Sequence, residues 1–379
     1  MQKIPRRLHD TLNQSIEAGK VVVLYGPRQV GKTTLLGDIL RGRKEKWKLI
    51  SGEDVHVREW LSSQSVETLK ANVGNIELLA IDEAQNVPQI GLNLKLMVDS
   101  MPHIKIIATG SSSFELAEQI GEPLVGRKWS FFLFPIAQLE LGEHESLFET
   151  KGRLEERLVY GSYPRVITTS GIEDKRALLA EICDGYLYKD LLVFDRVRKS
   201  SKIDALLRLL AFQIGKEVSL SELGTTLGMD VRSIERYIDL LEKTFVIKRA
   251  FGFSRNLRKE VTKSTRVYFL DNGIRNAIID NYKPLSLRND VGELWENYLF
   301  TERMKKMHYQ YNDLLSIRYF WRTYDQKEID LVEERDGKLF GYEFKWGARV
   351  SHAPKDWLST YKNASYEVIT RENYLPFIT

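Results

Sequence analysis

Gly26-Pro27-Arg28-Gln29-Val30-Gly31-Lys32-Thr33 is a glycine-flanked loop, and the residues on either side of it decide how the N-terminal third folds. Before it, Val21-Val22-Val23-Leu24-Tyr25 has the length and β-branched content of a buried strand. After it, Leu35, Leu36, Ile39 and Leu40 recur on one face of a helix. Strand, loop and helix N-terminus together aim several backbone N–H groups and the helix dipole at one point, which suits a polyphosphate. Lys32 is placed to reach the β- and γ-phosphates and Thr33 to offer its hydroxyl to Mg²⁺, with Thr34 next in the loop.

About fifty residues on, Leu78-Leu79-Ala80-Ile81-Asp82-Glu83 reads as a second apolar strand ending in two acids. A carboxylate at such a tip, Asp82, can hold the metal, and Glu83 can polarise a water. A third strand, Ile104-Lys105-Ile106-Ile107-Ala108, runs into Thr109-Gly110-Ser111-Ser112-Ser113. A polar side chain there can sense the γ-phosphate; Ser111 is the choice, and an N-cap serine is the alternative.

These pieces resemble the AAA+ branch of P-loop ATPases, in particular a prokaryotic group with a Gly-Pro-Arg-Gln-x-Gly-Lys-Thr-Thr loop, a Leu-Asp-Glu-x-Gln acidic strand and a Thr-Gly-Ser-Ser strand tip. The matching stretches are Gly26 to Thr34, Ile81 to Gln85 and Thr109 to Ser112, extending through Gly126-Arg127 and a strand from Trp129 to Phe134 that ends at Pro135. The resemblance implies a five-stranded parallel sheet with the phosphate loop on a central strand. It also implies an arginine that completes a neighbour's site, and Arg127 holds the matching position. An intramolecular salt bridge is the other reading of Arg127. Gly161-Ser162-Tyr163-Pro164-Arg165 and Tyr186-Leu187-Tyr188-Lys189-Asp190 match further recurrent pieces of the group, without a chemistry attached to either.

With 379 residues, 43% of them hydrophobic, the chain can build two or three cores. No apolar run reaches eighteen residues, so no membrane span is expected, and the basic N-terminus lacks the apolar stretch of a signal peptide. Cys183 is the only cysteine, which excludes an intrachain disulfide and a cysteine-based zinc site; the six histidines are scattered. Cytoplasm is the expected compartment.

The net charge of +4 is unevenly placed: residues 196–266 carry sixteen Lys/Arg against eight Asp/Glu. That excess marks the segment for polyanion contact. An apolar helix over 203–215 is followed by Ser219-Leu220-Ser221-Glu222, a helix start with cap and acid at the right spacing. Gly228 ends that helix and Asp230 caps a longer one, before strands at Phe245-Val246-Ile247 and Val267-Tyr268-Phe269-Leu270. This is the plan of a winged helix-turn-helix. In its DNA-binding form Arg232, Ser233 and Arg236 face the groove, and Arg255, Arg258 and Lys259 of the wing meet phosphates. In its other form the module only packs or binds protein.

The last hundred residues start with a helix over Val291 to Leu299 and continue with an aromatic strand, Ile317 to Trp321. Glu328 to Val332 and Tyr342 to Trp346 then form two strands around an Asp336-Gly337 turn. Asp330 and Glu343 lie thirteen residues apart, and period-two alternation puts Glu343 and Lys345 on one face. Two carboxylates can hold Mg²⁺ while a lysine orients the hydrolytic water. The pattern resembles the Asp…Glu-x-Lys restriction-endonuclease-like fold, with Glu296 matching its auxiliary helix acid; the competing reading is a hairpin with a cross-strand salt bridge.

The fold class expected is α/β, in four parts: an AAA+ P-loop core over 1–137, a helical lid over 138–202, a winged helix over 203–272 and an α/β nuclease-like domain over 273–379. The expected activity is ATP hydrolysis with Mg²⁺, switching contacts with DNA or a protein partner, in a chain that can form homo-oligomers. An ATP-gated nuclease and a nucleotide-dependent signalling scaffold are the alternatives.

Overall fold

The computed structural model describes residues 4–111, 123–142, 144–188, 200–254, 265–311, 317–323, 326–347 and 352–379. The chain divides into two compact units. One runs to Pro135 and takes in Lys243–Phe245; the other holds Ile136–Glu242 and Val246–Thr379.

In the N-terminal unit five strands, β1 (Val21–Tyr25), β2 (Trp47–Ser51), β3 (Leu78–Asp82), β4 (Lys105–Gly110) and β5 (Lys128–Phe132), form one sheet in the order β2-β3-β4-β1-β5. Every pairing is parallel. β1 is buried along its whole length, as a β-branched run covered on both faces must be. It lies between β4 and β5, an interior strand next to the edge one. Helices α1 (Leu8–Ser15), α2 (Lys32–Arg41), α3 (Val55–Leu61), α4 (Val66–Val73) and α5 (Ile90–Ser100) complete the layers. α2 buries Leu35, Leu36, Ile39 and Leu40, the face read from the sequence.

The C-terminal unit contains α6 (Ile172–Ile182), α7 (Ser200–Phe212), α8 (Leu220–Leu227) and α9 (Val231–Lys243). Ser219 accepts from the Glu222 N–H at 3.3 Å to start α8, Gly228 closes it at φ 59°, and Asp230 accepts from the Ser233 N–H at 2.9 Å to start α9. Strand β7 spans Ile247–Gly252, later than expected, because Phe245 sits in the left-handed region at φ 62° and cannot extend a strand.

One sheet crosses the expected border at 273. Strands β6 (Glu217–Val218), β7, β8 (Thr265–Phe269), β9 (Ile317–Arg322), β10 (Glu328–Arg335), β11 (Lys338–Phe344) and β12 (Ala364–Ile369) share one sheet, in the order β12-β11-β10-β9-β7-β8-β6. The join is a short parallel pairing, Phe251↔Tyr319 and Gly252↔Phe320. β10 and β11 form a hairpin whose two turn residues, Asp336 and Gly337, both have positive φ, the backbone that a tight two-residue turn demands. β12 runs parallel to β11 after the short helix Lys355–Thr360. Trp321, Ile329, Val332, Leu339, Trp357 and Tyr361 form a buried cluster in this part of the sheet. Helix α10 (Asn272–Ile278) precedes the long helix α11 (Val291–Tyr311). Among the described residues no helix is long and apolar enough to cross a membrane.

Candidate functional sites

The phosphate loop links the C-terminal end of β1 to the N-terminus of α2. Its backbone alternates sign: Gly26, Gln29 and Gly31 have φ of 155°, 59° and 95°. Such alternation turns successive N–H groups inward and makes a concave anion seat at the start of the helix. At Gly26 a Cβ would lie 2.3 Å from the Leu133 carbonyl oxygen, so only glycine allows this close approach. Lys32 is buried, and its Nζ donates to the carbonyls of Gly26 and Pro27 at 2.9 and 2.8 Å. Its ammonium is thereby held over the loop.

The acids stand where the sequence places them. Asp82 ends β3; one of its oxygens accepts from the Thr33 hydroxyl at 2.7 Å, and the other accepts from the Thr109 hydroxyl. The residues fit a divalent cation with a triphosphate: a hydroxyl and a carboxylate are already paired beside the anion seat. Glu83 has φ 50° and ψ 45°, a strained conformation for a non-glycine residue at a strand tip.

Three further residues support the site and were not assigned a role from sequence. Gln85 Nε2 donates to Glu83 Oε2 at 2.5 Å and to Ser111 Oγ at 3.0 Å, so one buried amide positions both the Glu83 carboxylate and the Ser111 hydroxyl. Thr109 accepts from the Glu83 N–H at 3.3 Å while holding Asp82. Arg6 donates to the Val30 and Phe134 carbonyls, each at 2.6 Å, fastening the loop to the segment after β5. Gln85 was visible as part of the Asp-Glu-x-Gln pattern. No local signal marks Arg6, which lies 24 residues from the carbonyl it holds. Ser112 and Ser113 lie outside the described residues.

Arg127 precedes β5, at the end of the sheet opposite the phosphate loop of its own chain. Its Nε donates to Asp99 Oδ1 at 2.9 Å, with both side chains about two-fifths exposed. The intramolecular salt bridge is therefore present.

In the basic segment Arg232 and Arg236 are exposed, one helical turn apart on α9. Ser233 is engaged elsewhere, its hydroxyl donating to Asp230 at 2.6 Å. Arg255, Arg258 and Lys259 lie outside the described residues. Arg208, Lys248 and Arg249 pair with Asp204, Asp239 and Glu242, acids of the same segment, whereas Arg266 pairs with Glu296, an acid outside it.

Glu296, Asp330, Glu343 and Lys345 do come together, in and around a cleft of about 440 Å³. Lys345 Nζ pairs with Glu343 Oε1 at 2.5 Å, as period-two alternation predicts. Asp330 Oδ2 accepts from the Phe344 N–H at 2.8 Å, and Glu296 Oε1 accepts from the Tyr268 hydroxyl at 2.7 Å. Burial, and then the charge of Asp330, push Glu343 up to about 7 and Glu296 well above the usual carboxylate range. Arg266 was not anticipated. It projects from β8 into the acids, 3.3 Å from Glu296, 3.4 Å from Asp330 and 2.7 Å from Glu328.

Residues 18–142 match the family model described as an AAA domain, so the loop, the acidic strand and the five-stranded parallel sheet form an AAA-type ATPase domain. Residues 151–285 and 291–374 match two domains of unknown function, DUF8612 and DUF4143. An uncharacterized protein of Mycobacterium tuberculosis is 26% identical over 339 residues, covering 88% of this chain and 72% of the relative. One from Methanocaldococcus jannaschii is 25% identical over 319 residues, covering 78% and 70%. Among solved structures, the RuvB Holliday junction branch migration motor of Thermotoga maritima is 17% identical with a TM-score of 0.30, covering 64% of this chain and 85% of that one. A signal transduction ATPase with a tetratricopeptide repeat sensor from Pyrococcus horikoshii is 14% identical with a TM-score of 0.29; the match covers 80% of this chain and 46% of that longer one. Likenesses this slight assign no function.

Proposed function

We propose that the chain is a Mg²⁺-dependent ATPase that uses nucleotide turnover to switch its contacts with DNA or a protein partner. One observation carries the reading: Lys32, the Thr33 hydroxyl, and the carboxylates of Asp82 and Glu83 are gathered at the mouth of β1 and β3, beside a helix N-terminus. Lys32 would exchange the loop carbonyls for phosphate oxygens. Thr33 and Asp82 would hold the cation, which would supply positive charge against that developing on the phosphate oxygens. Glu83 would orient the attacking water and take its proton, with Gln85 and Ser111 fixing where its carboxylate lies. The test is phosphate release from ATP. Glu83→Gln should still bind ATP while turnover falls about 10²–10⁴-fold, and unchanged turnover in both Glu83→Gln and Lys32→Ala would refute the assignment.

Partner contact is assigned to α9. The order α7-β6-α8-α9-β7-β8 supports the winged helix-turn-helix reading, and Arg232 with Arg236 supplies an exposed cationic face for phosphates. The Arg127–Asp99 pair is half-exposed and worth only ~0–1 kcal/mol, so it leaves Arg127 available to a neighbouring subunit's nucleotide in a homo-oligomer. The ATP-gated nuclease is not favoured, because the cations of the acidic cleft are already paired within it.

A further inference from the structure

The acidic cleft of the C-terminal unit has the residue types of a metal-dependent cutting site, but its charges are arranged differently. Every lysine and arginine that lines it is paired with an acid of the same region. Lys216 meets Glu293 at 3.3 Å, Arg322 meets Glu217 at 2.5 Å and Lys345 meets Glu343 at 2.5 Å. Arg266 meets three acids at once, from α11 and β10. Its side chain is 5% exposed and its guanidinium lies 4.5 Å from the centroid of the Phe320 ring, so packing as well as charge fixes its position. Arg266 and Tyr268 alternate onto one face of β8, and both reach Glu296. Gly215 approaches Glu296 so closely that a Cβ there would lie 3.1 Å from the carboxylate.

The residues do not fit a divalent ion. Among the described residues no three His, Cys, Asp or Glu side chains converge to hold a metal. A planar guanidinium with five donors satisfies several carboxylates at once, whereas a metal needs their oxygens turned toward a single point. We infer that Arg266 is the resident cation of this centre: it takes the part a metal would play and ties β8 to α11 and β10, so the domain is an arginine-locked scaffold rather than a nuclease. The inference does not depend on the ATPase reading.

The test is Mn²⁺ binding to the full chain without nucleotide, followed by loss of the free-ion electron paramagnetic resonance signal. Wild type and Asp330→Asn should bind the same amount. Mn²⁺ held by wild type and released by Asp330→Asn would overturn the inference. Arg266→Gln, checked for folding by circular dichroism, should likewise bind no more Mn²⁺ than wild type and should unfold at a lower denaturant concentration; a folded Arg266→Gln that is as stable as wild type would also overturn it. Should Arg266→Gln not fold, the comparison of wild type with Asp330→Asn decides alone.

Discussion

At the mouth of β1 a buried lysine donates to two neutral backbone carbonyls; on β8 a buried arginine sits among three carboxylates. Both cations lie beside acids that a sequence motif marks as metal ligands, yet their partners set opposite prospects. Hydrogen bonds to carbonyls can be exchanged for bonds to phosphate at a net difference of about 1 kcal/mol. Moving Arg266 out would leave buried carboxylates without a counter-charge, which costs about 3–5 kcal/mol. A motif names the chemistry that a site can host, and the partners of its cation determine whether a ligand can enter.

The largest effect that would break this contrast is on stability. Arg266→Ala should destabilise the C-terminal unit by about 3–5 kcal/mol in chemical denaturation. A loss below about 1 kcal/mol would mean that the acids do not need their arginine. In the N-terminal unit the corresponding change, Lys32→Ala, should leave stability nearly unaltered and instead reduce ATP turnover by about 10²–10³-fold, or ~3–4 kcal/mol of transition-state stabilisation. Gln85→Ala sharpens the comparison further. It should lower kcat by roughly tenfold with ATP affinity kept, because the amide orients Glu83 and Ser111.

Asp290 is the inverse of Arg266, a carboxylate between two arginines, accepting from Arg275 at 2.5 Å and Arg288 at 2.7 Å. Burial works against its charge, but the two arginines win and hold its pKa down to about 2, against an ordinary 3.8. Its folded pKa is depressed, so its contribution is complete above about pH 4 and lost as pH falls toward 2. Acid unfolding should show a loss of about 1–2 kcal/mol over that window, absent in Asp290→Asn. The smallest effect expected is on DNA. Arg232→Ala with Arg236→Ala should flatten the dependence of log affinity on log salt by about 1–2, and no change in slope would leave a protein as the partner of α9.

The N-terminal unit was largely legible because its signals are local. The strand 21–25, the loop 26–34 and the helix face Leu35, Leu36, Ile39 and Leu40 are consecutive, and their order alone specifies the anion seat. The C-terminal unit was legible element by element but not in assembly. Nothing in residues 247–252 announces that they pair with 317–322 to extend one sheet across an expected domain border. Arg266 escaped for the same reason: it lies 30 residues from Glu296 and 64 from Asp330, and in a count of charges it looks like one more cation of a basic segment. Its long-range ion pairs cancel that charge against acids outside the segment, which composition cannot register.

Calorimetric titration of ATP with Mg²⁺ into three folded proteins tests the central claim most directly. Wild type and Glu343→Gln should give the same single-site heat, and Lys32→Ala should give none. Heat that survives Lys32→Ala, or disappears in Glu343→Gln, would contradict the assignment of nucleotide to the first sheet and of a metal-free scaffold to the second.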